Sequence, residues 1–261
     1  MIPSGIVDDA FSRPGVQESV RAAARLRDRY LRVVDGEQAG DDFPAGRMLG
    51  DAMALAIPQM TPAVARRYRD AYRDILHSAV QEAEERKDGS LPDFATYMQG
   101  RRTNLFGYWA TIQTEFALGL DLGRKLDESE DLALVRDLTI DHMVLVNDLY
   151  SFPKEYDARE VMNAVWIFVV REGRALQQAI DRLAELIGEV EDAFVAARRR
   201  IAEGPLAGRA DISRYVTELG HLISGNVYYH QRTTRYHGDE HGGQRVAATR
   251  VATVRRPTVH S

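Results

Sequence analysis

Three oxygen-bearing side chains recur every four residues near the middle of the chain. They are Asn147, Ser151 and Glu155, within the stretch NDLYSFPKE. Residues four apart on an α-helix lie on one face with a slight drift, so the three side chains form a polar ridge. A carboxamide, a hydroxyl and a carboxylate are hard oxygen ligands, which suit Mg2+ better than zinc or copper. The alternative interpretation is a helix whose polar face meets water.

The sequence around this ridge favours a buried site over a solvated face. Residues 138–146 carry apolar side chains on several helix faces, which indicates a buried helix where unpaired polar groups cost free energy. Pro153 lies inside the helical pattern, where it removes one backbone hydrogen bond and crowds the carbonyl of Leu149. Kinks of this kind in a central helix often accompany a functional site. We therefore predict that the ridge faces a cavity.

Two further segments carry charges of opposite sign. Asp8 and Asp9 form an acidic pair near the start of the sequence, and Arg101 and Arg102 form a basic pair. Planar guanidinium groups hold anions through several donors at once. Taken alone, the aspartates are more typical of a helix cap or a loop, and the arginines are more typical of a helix surface.

A third segment ends the last helical stretch with Arg235 and Tyr236. A guanidinium or a phenol donates hydrogen bonds to phosphate oxygens. Lys154, inside the ridge segment, adds a further cation close to Glu155. Together with the acidic and basic pairs, these residues offer hosts for both a metal ion and an anion.

These side chains belong to a sequence with a helical period nearly throughout. We predict helices over residues 16–34, 45–57, 62–87, 92–121, 129–156, 159–171, 174–203 and 211–232. No strand pattern is found and the connections are short, so residues 1–236 are predicted to form a single all-α domain. Residues 237–261 contain few large apolar side chains, and we expect a flexible C-terminal tail there.

Composition excludes several classes of function. The 261 residues carry a formal net charge of -5, which argues against a nucleic-acid partner. The absence of cysteine removes disulfides, thiolate nucleophiles and sulfur metal sites, and fits a reducing compartment. The N-terminus lacks the pattern of a signal peptide, and the longest apolar stretches fall short of the roughly 20 residues needed to cross a bilayer. We expect a cytoplasmic protein without stable membrane insertion.

The stretch NDLYSFPKE resembles the N-D-x-x-S-x-x-K-E metal motif of class I terpene synthases and matches it at every fixed position. The pair Asp8-Asp9 resembles the aspartate-rich motif of that family, at a separation from Asn147 similar to that in bacterial members. The segment from Gly225 to Arg235-Tyr236 resembles the family's closing segment, although Tyr229 stands where a tryptophan is usual. The resemblance covers nearly the whole chain to residue 236 and implies a class I terpenoid synthase-like helical bundle around a central cavity.

The resemblance also implies roles for individual residues. The metal ligands would be Asp8, Asp9, Asn147, Ser151 and Glu155, and three Mg2+ ions would bind together with the substrate. Diphosphate would be bound by Arg101, Lys154, Arg235 and Tyr236. The diphosphate sensor would be Arg101 or Arg102, with the spacing to Asn147 favouring Arg101, Asn104 as linker, and Leu105 or Gly107 as effector.

The reaction implied by the resemblance is Mg2+-dependent ionisation and cyclisation of an allylic prenyl diphosphate, with release of diphosphate. Farnesyl diphosphate is the expected substrate, with geranylgeranyl or geranyl diphosphate as the next candidates. Aromatic side chains would stabilise the carbocation. The candidates are Phe11, Phe106, Tyr108, Trp109, Phe116, Tyr150, Phe152, Tyr228 and Tyr229. The family also suggests a homodimer.

The sequence departs from the family's pattern in two places. Ser12 stands where the aspartate-rich motif normally has a third acidic residue, which predicts a weakened metal site. Few residues precede Asp8, whereas family members carry several helices before it, so we expect an N-terminally truncated bundle. The alternatives to a synthase are therefore a non-catalytic truncated helical remnant and a chain-elongating prenyltransferase, although the latter class resembles a pair of aspartate-rich motifs.

Overall fold

A computed structural model describes residues 2–88, 91–157 and 162–237. These residues form thirteen α-helices and one short 3-10 helix, Ile57–Gln59, and contain no β-strand. The helices are α1 (Ile2–Phe11), α2 (Pro14–Gln17), α3 (Val20–Val34), α4 (Pro44–Ala56), α5 (Pro62–Asp88), α6 (Phe94–Asn104), α7 (Gly107–Leu118), α8 (Gly123–Glu128), α9 (Glu130–Asp157), α10 (Ala164–Arg171), α11 (Leu176–Glu203), α12 (Ala210–His230) and α13 (Thr234–His237). The prediction of an all-α fold is confirmed.

Helix α9, which carries the polar ridge, lies at the centre of the bundle. It packs against α6, α7, α8, α10, α11, α12 and α13. Leu132, Val135, Ile140 and Val144 are all fully buried, as the apolar pattern on several faces predicts. The helix continues through Pro153 for one further turn, to Asp157. Burial on so many sides fixes the direction in which the ridge points.

Helix α5 forms the second long wall of the bundle. The helix predicted over residues 62–87 is confirmed, and it buries an apolar stripe that includes Val64, Tyr68, Tyr72 and Leu76. The stripe packs against α3, α6 and α7. Burial of these large side chains supplies much of the hydrophobic free energy of this half of the molecule.

The prediction of one helix over residues 92–121 is wrong. The chain breaks between α6 and α7 at Phe106, whose backbone adopts the left-handed conformation with φ 62° and ψ 23°. This conformation is uncommon for a bulky side chain. Gly107 then packs so closely against α9 that an added Cβ would lie 2.3 Å from Ile140 Cγ2. The sequence contains no proline at this break, and a single glycine inside a helical pattern does not by itself mark the end of a helix.

Other element boundaries also differ from the predictions. The stretch 16–34 is divided into α2 and α3, because Ser19 caps α3 by accepting a hydrogen bond from the Ala22 amide at 3.3 Å. Helix α10 begins at Ala164, after the cap residue Asn163, and the first residues of the stretch predicted from 159 lie outside the described residues. Helices α1 and α8 were not predicted. Apart from His237, the predicted tail over residues 237–261 lies outside the described residues.

In the parts of the chain that the structure describes, no helix is both long enough and apolar enough to cross a membrane.

Candidate active site

The predicted site residues meet at a single cavity of about 620 Å3 between α1, α5, α6, α9, α12 and α13. Eight of them line it: Asp8, Asp9, Arg101, Asn147, Lys154, Glu155, Arg235 and Tyr236. Asn104 and Leu105, at the α6–α7 break, line it as well. The acidic pair therefore shares one space with Asn147 and Glu155, although they lie far apart in the sequence, whereas Ser151 is not part of the cavity lining within the described residues.

Asn147 holds a fixed position on the α9 wall of this cavity. Its Oδ1 accepts a hydrogen bond from Arg101 Nη2 at 3.0 Å, and its Nδ2 donates to the Tyr236 hydroxyl at 2.9 Å. His230 Nε2 lies 3.2 Å from the same Nδ2. Arg101 also donates to Asn104 Oδ1 at 3.1 Å. One carboxamide thus joins α6, α9, α12 and α13.

Asp148 is a buried anchor that the sequence interpretation left without a role. Its carboxylate accepts hydrogen bonds from the Tyr97 hydroxyl at 2.5 Å, from Arg101 Nη2 at 3.0 Å and from the Ala164 amide at 2.9 Å. Asp148 is fully buried and is not part of the cavity lining within the described residues. Asp148 occupies a fixed position of the motif, and this is the sequence feature that points to it. In the structure, its carboxylate holds Tyr97, Arg101 and the start of α10 together.

Ser151 and Glu155 continue the ridge toward the end of α9. Ser151 is 1 % exposed, and its hydroxyl has no well-formed hydrogen bond within the described residues. Glu155 Oε2 accepts from Asn163 Nδ2 at 2.9 Å. Burial, reinforced by the negative charge of Asp148, raises the pKa of Glu155 to about 7, although the positive charge of Arg101, the hydrogen bond from Asn163 and the nearby Ser151 hydroxyl act in the opposite direction.

The opposite wall is formed by α1 and α13. Arg235 Nη1 donates to Asp9 Oδ1 at 3.0 Å, and Arg235 Nη2 donates to Asp8 Oδ2 at 3.1 Å. Half of the Asp8 side chain is accessible, but it faces the cavity rather than the outer surface. Removal from bulk water raises the pKa of the Asp8 carboxyl, against the lowering effects of Arg235 and Arg101.

The structure separates the two adjacent arginines. Arg101 lines the cavity, whereas Arg102 forms a two-pronged ion pair with Asp141 on α9, at 2.6 and 2.7 Å. Neither Arg102 nor Gly107 belongs to the cavity lining within the described residues. Gly107 instead allows the close approach of α7 to α9 at Ile140.

The donor set fits a hard divalent cation that also takes ligands from a bound anion. Within residues 2–88, 91–157 and 162–237, no three His, Asp or Glu side chains form a ready metal cluster. The Ser151 hydroxyl lies close to the Glu155 carboxyl and lowers its pKa, so these two oxygen-bearing groups lie side by side on α9. Oxygen donors from Asn147, Ser151 and Glu155 match the preference of Mg2+, which keeps several water or substrate ligands.

The rest of the cavity has a mixed lining. Of the nine aromatic candidates, Phe11, Phe106 and Tyr229 line it. Apolar side chains from α1 and α5 accompany them, including Val7 and Ile75. The remaining aromatic candidates lie outside the lining within the described residues.

Comparison with known proteins identifies the family of this chain. Residues 4–193 match the model of the family described as terpene synthase family 2, C-terminal metal binding. The chain belongs to this family. The matched stretch contains the aspartate pair and the α9 ridge, and it ends before the Arg235–Tyr236 segment.

Relatives of the terpene synthase come from plants, fungi and bacteria. The (E)-2-epi-beta-caryophyllene synthase of Selaginella moellendorffii is 29 % identical over 242 residues, which cover 89 % of this chain and 65 % of the relative. Pristinol synthase of Streptomyces pristinaespiralis is 29 % identical over 201 residues, covering 73 % of this chain and 51 % of the relative. This chain therefore spans less than two thirds of the length of these relatives.

Solved structures share the fold. The 2-methylisoborneol synthase of Streptomyces coelicolor A3(2), in complex with Mg2+ and 2-fluoroneryl diphosphate, superposes with a TM-score of 0.77 at 24 % identity, covering 90 % of this chain and 75 % of that one. The linalool/nerolidol synthase of Streptomyces clavuligerus, in complex with 2-fluorogeranyl diphosphate, gives a TM-score of 0.74 at 22 % identity, covering 87 % and 78 %. The terpene synthase family member described here thus has the class I all-α fold.

Proposed function

We propose that this chain ionises an allylic prenyl diphosphate with the help of Mg2+ and directs the resulting carbocation to a terpene, with farnesyl diphosphate as the substrate. The single observation that carries the proposal is the meeting of two sets of polar residues at one cavity. The acidic pair Asp8-Asp9 lines it from α1, and Asn147 and Glu155, the two ends of the ridge, line it from α9. Neither set has a structural need to lie beside the other.

The leaving group is the chemical difficulty of this reaction, because a diphosphate anion must separate from an allylic cation. When bound, Mg2+ would neutralise the negative charge that develops on the diphosphate oxygens. Asp8 and Asp9 would hold metal on one wall, and Asn147, Ser151 and Glu155 on the other, with three ions in all. The substrate diphosphate supplies the anionic ligands that these residues lack.

Four donors of this chain are available to the diphosphate. Arg101, Lys154, Arg235 and Tyr236 all line the cavity. Donors that are already held in place stabilise charge without a reorganisation cost at the moment of reaction. Arg101 is held by Asp148 and Asn147, so we assign the sensor role to Arg101 rather than Arg102.

The carbocation would be housed by the apolar side of the cavity. Phe11, Phe106 and Tyr229 offer ring faces, each worth roughly 0.5 to 2 kcal/mol to a nearby cation. Ile75 and Val7 exclude water from the same region, which prevents early capture of the cation. The likeness to synthases whose names denote sesquiterpene products supports farnesyl diphosphate as the substrate.

The direct test is incubation of the purified chain with farnesyl, geranyl or geranylgeranyl diphosphate and Mg2+, followed by gas chromatography of the organic extract. We expect a terpene hydrocarbon or alcohol from farnesyl diphosphate and none in EDTA. Arg101→Gln should abolish product, whereas Arg102→Gln should retain it, provided that each variant melts cooperatively without ligand. Absence of product from all three substrates would contradict the proposal.

A further inference from the structure

His230 is a buried residue of the cavity that neither the motifs nor the proposed reaction uses. It ends α12, is 4 % exposed and lines the cavity. Its Nδ1 lies 2.8 Å from the carbonyl oxygen of Asn226, one helical turn earlier. A carbonyl oxygen only accepts hydrogen bonds, so Nδ1 carries the proton. In the neutral ring, Nε2 is then an acceptor.

This tautomer determines how the Asn147 carboxamide is oriented. His230 Nε2 lies 3.2 Å from Asn147 Nδ2 and accepts a hydrogen bond from it. On the other side of the carboxamide, Arg101 Nη2 lies 3.0 Å away. Because a guanidinium has only donors, the atom facing Arg101 must be the oxygen. Two independent neighbours therefore demand the same orientation of one carboxamide.

The orientation matters because only one end of a carboxamide can bind a cation. A half-turn about the last side-chain bond would present Nδ2 of Asn147 in place of Oδ1, and an amide nitrogen does not bind Mg2+. Without an acceptor at position 230, the Tyr236 hydroxyl is the remaining described partner of Nδ2, at 2.9 Å. Tyr236 belongs to the short helix α13, which follows the end of α12.

The ring of His230 also packs against Tyr236. The two rings are stacked, with centroids 5.3 Å apart and planes inclined by 8°. An aromatic ring without nitrogen would preserve this contact and lose the acceptor. A side chain with an acceptor but no ring would do the reverse. The two contributions of His230 can therefore be tested separately.

We propose that His230 is a positioning residue that holds the Asn147 carboxamide with Oδ1 available to Mg2+. This inference rests on the proposed function, because it assigns His230 to the metal site of that reaction. Partners that orient metal ligands typically account for 10- to 100-fold in metal affinity.

The test compares His230→Phe with His230→Gln. Phenylalanine keeps a ring beside Tyr236, whereas glutamine keeps an amide oxygen near the position of Nε2. The readout is the rise in melting temperature caused by Mg2+ in the presence of inorganic pyrophosphate, titrated to obtain the half-saturating Mg2+ concentration. We expect this concentration to rise about tenfold or more in His230→Phe and to stay within about threefold of wild type in His230→Gln.

His221→Phe is the matched control, since His221 lies on the same helix with a side chain 68 % exposed. It should leave the half-saturating concentration unchanged. A purely packing role for His230 predicts the opposite order, with the phenylalanine variant near wild type and the glutamine variant impaired, and that result would overturn the inference. If His230→Phe does not fold, a tenfold weakening in His230→Gln overturns it and wild-type affinity supports it.

The same titration separates this inference from the proposed function. A wild-type chain that shows no Mg2+-dependent rise with pyrophosphate overturns both. A wild-type rise that is equally strong in His230→Phe overturns the positioning role alone and leaves the proposed reaction in place.

Discussion

The two walls of the cavity hold their polar side chains by different means. On the α9 wall, Asp148 is fully buried and the Arg101 side chain is 13 % exposed, with both tied into one hydrogen-bond network. On the α1–α13 wall, the side chains of Asp8, Asp9 and Arg235 are 50 %, 58 % and 32 % exposed, and Arg235 pairs with both aspartates. The first wall is held by a buried network behind it, whereas on the second wall a single guanidinium offsets part of the charge of two carboxylates.

The two walls therefore contribute differently to folding and to binding. Breaking a buried ion pair costs about 3–5 kcal/mol, because the remaining charge stays buried without a partner. An exposed pair contributes about 0–1 kcal/mol and is screened by salt. Substitutions on the α9 wall should therefore reduce stability, and those on the α1–α13 wall should chiefly affect metal and diphosphate binding.

The largest expected effect is that of Asp148→Asn. Tyr97, Arg101 and the Ala164 amide all donate to the carboxylate, so the NH2 of asparagine meets a donor whichever way it turns. We expect the free energy of unfolding to fall by about 3–5 kcal/mol in urea denaturation. Asp137→Asn, on the same helix in a pair with its neighbour Arg136, should cost less than about 1 kcal/mol. Equal losses of unfolding free energy in Asp148→Asn and Asp137→Asn would contradict a special stabilising role of the buried Asp148 network.

A smaller effect is expected from Asn147→Ala. The substitution removes the candidate metal ligand and one hydrogen bond to Arg101 while leaving the Arg101–Asp148 pair in place. The half-saturating Mg2+ concentration with pyrophosphate should rise more than about tenfold, because direct ligands matter at least as much as their outer partners. Isothermal titration would measure it, and an unchanged affinity would exclude Asn147 as a ligand.

Asp9→Asn should affect stability less than either of these. The Asp9 side chain is 58 % exposed where it pairs with Arg235, so the free energy of unfolding should change by less than about 1 kcal/mol. Mg2+ affinity in the presence of pyrophosphate should nevertheless fall. A stability loss above about 2 kcal/mol would mean that the α1–α13 wall is braced like the other.

The smallest expected effect is a pH dependence from His142 on α9. Burial lowers the pKa of His142, and its contact with Glu191 Oε1 at 3.0 Å only partly offsets this. As pH falls through the unfolded value near 6.5, the unfolded chain takes up a proton that the folded chain resists, so stability falls. Melting temperatures between pH 8 and 5.5 should show this decline in wild type and a shallower one in His142→Leu. Identical slopes would contradict it.

The long helices could be predicted from the sequence, because their apolar residues repeat over many turns. Helix α9 was predicted over 129–156 and runs over Glu130–Asp157. The break at Phe106 could not be predicted, since its left-handed backbone is imposed by tertiary packing of Gly107 on α9. Intrinsic propensity does not reveal a bend that depends on a neighbouring helix.

The candidate site was predicted more fully than its supports. The ridge and the charged pairs follow from spacing and resemblance. Spacing alone could not choose between Arg101 and Arg102, because adjacent helical positions differ only in the face on which they lie, and that depends on packing. Asp148 and His230 were missed as supports for a physical reason as well. Their roles arise from contacts with Tyr97, Asn147 and Ala164, which lie 16 to 83 residues away in sequence.

The ion pairs of Arg235 join residues 226 and 227 positions apart. Of the described helices, α1 is synthesised first and α13 last. Until Arg235 has been synthesised, Asp8 and Asp9 are two adjacent carboxylates without this guanidinium as a partner. This wall is therefore completed only after residue 235 has been synthesised, and a chain that stopped before residue 235 would carry an acidic opening in place of a paired one.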